Sequence, residues 1–200
     1  MKKFKKLFLI MSVVLLVFET NYSMTKTDIC YEEADTVKED NIKKITRNEM
    51  LRMNSELESQ HIWNIANRYG YVGRYQLGRL ALMDMGYDTI WINQLQNSIY
   101  KENNMYKFDL SLFPPHKQNE AILKYIKRIE KYYLGDIIKK YVDTEISGVK
   151  ITKAGILSAS FLGFSSVRKF VLSNGKNNPS DGNGHTVKDR LKMFENYELI

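Results

Sequence analysis

Residues 58–78 read ESQHIWNIANRYGYVGRYQLG, and the fold turns on how this stretch is understood. One acid, Glu58, stands beside Ser59, just ahead of a run of rings, glycines and amides. Upstream, Thr46-Arg47-Asn48-Glu49 has the spacing of a capping box, which opens a helix. Met50, Met53 and Leu57 then recur at i, i+3 and i+7 as one apolar stripe, so Glu58 falls at that helix's C-terminal end. Downstream, Gly70, Gly73 and Gly78 punctuate the chain and point to tight backbone rather than ligand contact. A helical glutamate alone is ordinarily a solvated one; a helix end flanked by Leu57, Ile62 and Trp63 is where desolvation can raise a carboxyl pKa.

Working outward, Gln76–Met85 is expected to be helical, with Leu77, Leu80, Ala81 and Met85 periodic and Gly86 as its stop. Residues 87–111 read as a mostly polar excursion anchored by Trp91. After the turn in FPPHKQNE, a long amphipathic helix is expected over 118–141, with Ala121, Ile122, Tyr125, Ile126, Ile129, Tyr133, Ile137 and Tyr141 inward. Lys127, Arg128, Lys131, Lys139 and Lys140 then form a solvated face. Residues 151–162 suit a small-residue helix closed by Gly163, and 166–172 a short one stopped by Asn174-Gly175. The last helix is capped at Thr186. No β pattern persists, so the expected body is a single all-α domain over 44–200.

The 200 residues are 44% hydrophobic and 26% charged, which suits one domain with a real core. Of the formal charge of +7, the first 23 residues contribute +3 through Lys2, Lys3, Lys5 and Lys6 against Glu19, leaving +4. A body this mildly basic argues against a dedicated nucleic-acid binder. The basic MKKFKK and the twelve-residue apolar run LFLIMSVVLLVF at 7–18 match a signal peptide over 1–23, too short for a comfortable bilayer span. The rival is an uncleaved anchor, the one route to a membrane, or a buried first helix. Residues 24–43 read as a polar tether. Export to the periplasm or beyond is expected. Cys30 is the only cysteine, so no internal disulfide forms, and its role is open. His61, His116 and His185 are scattered, and no metal spacing, P-loop or G-x-S-x-G occurs; neither metal nor cofactor is expected.

With these residues in hand, a resemblance can be named. Glu58-Ser59, Asn67 nine residues on, and GYVGRYQLG at 70–78 resemble the active-site half of the lysozyme-like peptidoglycan lytic transglycosylases, within the goose-type lysozyme superfamily. The closest likeness is a bacterial and phage branch with E-S, nine residues to Asn, then G-Y-x-G-x-Y-Q-F-G; Leu77 replaces the Phe. A second block, ITKAGILSASFLGFSSVRKFVLSNGKNNPSDGNG at 151–184, is similar to that branch's ITxSGLLAAAHLGGxGGVxxFL…NPSDxxG. The two likenesses cover about 47–86 and 114–194. Phe161 stands where the branch has His, Phe164-Ser165 where it has Gly-Gly, and Arg190 where a Tyr follows Asp189; Tyr197 is a candidate substitute.

The resemblance implies a lysozyme-like helical fold and cleavage of the MurNAc–GlcNAc bond of peptidoglycan strands by one carboxyl group. Glu58 is the expected catalytic residue, protonating the leaving oxygen and then acting as base on the sugar's own 6-hydroxyl to leave a 1,6-anhydro end. Ser59, Asn67, Tyr71, Tyr75, Gln76 and Phe161 are the expected substrate-binding residues. Ser59 either bonds Glu58 or spaces the helix end; Gln76 either meets an N-acetyl group or starts a helix; Asn67 lines the cleft or turns the chain. Two-carboxylate glycosidases need a second acid, and Asp84 and Asp181, the only ones near, read as surface or loop residues. A goose-lysozyme-type hydrolase and a glycan-binding protein without activity are the alternatives.

Overall fold

A computed structural model describes residues 41–200; the expected signal peptide, nearly all of the tether and Cys30 lie outside the described residues. Helices dominate, but three small sheets accompany them, so the body is mixed rather than all-α. The first strand, β1 (Lys43–Ile45), pairs in parallel with the last, β7 (Tyr197–Leu199). Lys43, placed in the tether by its sequence, therefore belongs to the folded body.

Helix α1 (Arg47–Ser59) opens on the expected capping box, with Thr46 Oγ1 accepting from Glu49 N–H and Glu49 accepting from Thr46 N–H. It ends where Gln60 and His61 both adopt left-handed backbone, φ 50° and 64°. Two such residues in succession turn the chain sharply and leave Glu58 and Ser59 in the final helical turn.

The stretch after it is mostly turns, with one short strand. β2 (Ile65–Ala66) joins a hairpin, β3 (Tyr100–Glu102) and β4 (Met105–Lys107), in a sheet ordered β2-β4-β3. Asn103 and Asn104 both have positive φ, the geometry of a tight hairpin turn. This sheet, and α3 (Thr89–Asn97) before it, replace the expected polar excursion over 87–111. Trp91 anchors the region as expected, stacked on Tyr87 and edge-on to Phe113. Gly73 has φ 78°, and a Cβ there would collide with the Gln118 carboxamide. That buried amide accepts from Arg74 N–H and donates to the Trp63 and Phe113 carbonyls, pinning the glycine loop to α4 (Pro115–Arg128).

Gln76 is not helical. Its φ is 48°, and α2 (Arg79–Asp84) starts only after Gly78. Leu80, in the first turn of this helix, is 80% exposed, against its expected inward place. The long helix expected over 118–141 is broken: α4 passes into a π-helical turn (Ile129–Tyr133), and α5 (Gly135–Tyr141) follows. At Gly135 a Cβ would lie 2.8 Å from the Glu130 carbonyl oxygen, so the break needs that glycine. A second hairpin, β5 (Glu145–Ile146) and β6 (Val149–Lys150), leads into α6 (Lys153–Ala159).

Helix α6 is the hub, buried from Ala154 to Ala159, and a 3₁₀ turn (Ser160–Leu162) closes it at Gly163. α7 (Phe164–Leu172) and α8 (Val187–Met193) complete the body, α8 opening on a Thr186–Asp189 capping box. Gly155 lets α6 approach α8 closely: a Cβ there would sit 3.2 Å from the Leu191 carbonyl oxygen. The core around these helices includes Phe108, Phe113, Phe170 and Phe194, each 0–1% exposed, and each such ring stabilises by about 1.5–3 kcal/mol.

Candidate active site

The close α6–α8 packing delivers Arg190 beneath the end of α1. Arg190 is 2% exposed, and its Nη2 donates to Glu58 Oε1 at 2.6 Å. Its Nη1 donates to Asn54 Oδ1 at 3.1 Å, which also accepts from Ser158 Oγ at 2.7 Å. Asn54 lies one turn before Glu58, and its Nδ2 donates to the Met50 carbonyl. The amide is thus fixed from both sides, and through Arg190 it fixes the carboxylate. Arg190 Nε is buried without a partner among the described residues.

Burial pushes the Glu58 carboxyl upward from its ordinary value; Arg190 pulls it down and the nearby charge of Asp181 pushes it up again, with the net direction upward. Its side chain is 19% exposed. The group is therefore a desolvated carboxyl with one guanidinium beside it, able to hold a proton nearer neutrality than a surface glutamate.

Ser59 does not touch Glu58. Its hydroxyl reaches the Ser55 and Arg74 carbonyls at 3.0 and 2.7 Å, so it ties the glycine loop to α1 instead of setting the acid's rotamer. Asn67 turns the chain: its Oδ1 accepts from Tyr69 and Tyr71 N–H. Tyr71, Tyr75, Gln76 and Phe161 come together, lining one cavity of about 540 Å³. Tyr71 is 46% exposed; Tyr75 is buried and donates to Asn119 Oδ1. Gln76 Nε2 donates to the Gly73 carbonyl. Glu58 is not among the residues that line this cavity. Tyr197, the candidate substitute phenol, sits in β7 with its ring edge-on to Phe194.

Asp84 departs from its expected surface character. It lines the same cavity and accepts from Arg128 Nε and Nη2 and from the Tyr133 hydroxyl, at 2.6–2.8 Å. Those bonds, Arg128's first, hold its carboxyl below the ordinary value; it is an ionised structural acceptor, and Arg128, expected on the solvated face, is partly exposed and commits its guanidinium to Asp84. Asp181 is a loop residue as expected, its Oδ1 accepting from Asn183 and His185 N–H. Its charge, and that of His185, nevertheless reach Glu58.

Asn54, Ser158 and the role of Arg190 were missed by sequence reasoning. The available signal was Asn54 at i−4 from Glu58, a polar residue on the same face of α1. Among the described residues no group of three or more His, Cys, Asp and Glu side chains is placed to hold a metal ion. No protein-family model matches the chain, and neither the curated proteins nor the solved structures include a match to it.

Proposed function

We propose that the chain is an exported peptidoglycan-cleaving enzyme of the lytic transglycosylase type, built on a lysozyme-like body, with Glu58 as its acid and base. The observation that carries this reading is the Glu58 carboxyl itself: largely covered at a helix end, shifted upward, and held in one orientation by Arg190. Protonated Glu58 gives its proton to the glycosidic oxygen as the bond from the sugar's anomeric carbon breaks, the electron pair going to that oxygen. The carboxylate so formed takes the proton of the same sugar's 6-hydroxyl as that oxygen closes on the anomeric carbon. Glu58 is then ready for a further cycle, and no water is consumed. Arg190 stabilises the carboxylate between the two transfers. The aromatic cavity with Tyr71, Tyr75, Gln76 and Phe161 supplies ring faces and an amide suited to a glycan strand.

A second reading, a hydrolase that positions a water, is favoured by one observation: Asp181 lies near enough for its charge to act on Glu58. Digestion of purified sacculi followed by mass spectrometry separates the readings. Transglycosylation gives 1,6-anhydro products one water lighter than the reducing ends of hydrolysis, and a protein that only binds gives neither. Glu58→Gln keeps an oxygen for Arg190 but no acidic proton; turnover is expected to fall by about 10²–10⁴-fold with the fold retained. Unchanged turnover in that variant rules Glu58 out.

A further inference from the structure

A second concavity, about 380 Å³, shares Tyr75 and Ile122 with the aromatic cavity. Its polar lining is Asn48, Arg52, Arg74 and Asn119. Arg74 is held at every point but one. Its N–H donates to Gln118, its carbonyl accepts from Ser59 Oγ, and its Nε donates to Ser55 Oγ at 3.0 Å. Nη2 lies 3.2 Å from His61 Nδ1, and the guanidinium stacks over Trp63 at 4.6 Å. Ser55 Oγ, which donates to the Arg52 carbonyl, lies 2.7 Å from the same His61 nitrogen. Only Nη1 has no partner among the described residues, and none of their carboxylates pairs with Arg74.

We propose that this concavity binds a carboxylate-bearing ligand, with Arg74 Nη1 as its first contact. Resting on the peptidoglycan reading, that ligand is the peptide stem of the glycan strand. A guanidinium's main cost in binding is the freezing of a long, flexible side chain. Here folding has already frozen it, in a concave site whose lining includes no carboxylate. Arg52 adds a second positive charge at the same wall. Asn119, whose Oδ1 takes the Tyr75 phenol, presents its Nδ2 as a further donor. Glu49, three residues before Arg52, has its carboxylate committed to Thr46. Through Tyr75 the two cavities share a wall, so a strand whose sugars lie against the aromatic cavity brings its stem toward Arg74.

The test is a calorimetric or NMR titration of the full chain, made catalytically silent by Glu58→Gln, with muramyl dipeptide and its carboxyl-amidated form. Saturable binding is expected, about tenfold or more weaker for the amidated form. Asn48→Asp, at an exposed position on the rim, adds a negative charge without touching the core and is expected to weaken binding similarly. Arg74→Met should abolish the preference for the free carboxylate; if that variant does not fold, Asn48→Asp decides. Equal affinity for the two forms, binding unmoved by Asn48→Asp, or competition by inorganic phosphate as strong as by the dipeptide overturns the proposal. Turnover plays no part in this readout. Cleavage without dipeptide binding sinks the site alone, and dipeptide binding without cleavage sinks the catalytic reading alone.

Discussion

Glu58 meets Arg190 at 2.6 Å and Asp84 meets Arg128 at 2.6 Å, yet the first carboxyl is pushed above its ordinary value and the second held below it. Their own exposures are similar, 19% and 23%. What differs is the company. Asp84 accepts three hydrogen bonds on two oxygens, two from a guanidinium that is itself 33% exposed and one from the Tyr133 hydroxyl. Glu58 has one such bond, from a guanidinium only 3% exposed. Desolvation therefore outweighs attraction in one pair and loses to hydrogen bonding in the other. The length of an ion pair does not fix the protonation state of its acid; the number of donors and the depth of the site do.

The strongest way to break this comparison is Arg190→Met. Glu58 then becomes a largely desolvated charge without a partner, and stability at neutral pH should fall by about 2–4 kcal/mol. With Arg190's pull gone, the folded-state pKa rises further, and the protonated form is the one the site tolerates. The deficit should therefore shrink as pH falls to about 4, read by urea denaturation at the two pH values. A deficit that is the same at both would assign the loss to packing rather than charge.

Asp84→Asn should cost less, about 1–2 kcal/mol at neutral pH, because its pair is partly solvated. The sign with pH is opposite. A lowered folded pKa gives stability that is present above the ordinary carboxylate value and lost as pH falls through the lowered one. Wild type and variant should thus converge on acidification, whereas Glu58's own contribution is present at low pH and lost as pH rises through its raised value. Parallel stability curves for Asp84→Asn down to the acid limit would contradict the assignment.

Ser158→Ala sharpens the comparison with the smallest effect. It removes one of two donors to Asn54 Oδ1 and should cost about 0.5–1.5 kcal/mol, leaving the Glu58 titration, followed by carbon-13 NMR of its carboxyl, nearly in place. A displacement as large as that in Arg190→Met would mean that Asn54's orientation governs the acid.

Local signals in the sequence carried far. The Thr46 and Thr186 caps, the stops at Gly86 and Gly163, and the turn at Asn174-Gly175 are written in residues a few places apart, and each appears as read. The hairpins were not legible, since strands of two or three residues have no room for an alternating pattern. Only Asn103-Asn104 and Ser147-Gly148, all with positive φ, mark them. Leu80 was misplaced because a helical periodicity says nothing of where the first turn begins. In the candidate site, the grouping of Tyr71, Tyr75, Gln76 and Phe161 followed from the resemblance, but Ser59's partner did not. The Glu58–Arg190 pair joins residues 132 apart, and only tertiary packing through Gly155 and α6 brings them together.

The parallel pairing of β1 with β7 has a mechanical meaning. Strand β1 enters the body and β7 leaves it while running side by side in the same direction, with Lys43 N–H bonded to the Asn196 carbonyl and Ile200 N–H to that of Ile45. Tension applied across residues 43 and 199 pulls the two strands past each other along their length. The ladder is then loaded in shear, and its bonds must fail together rather than one after another. Force applied at these two points loads that ladder before it reaches the helices that hold Glu58.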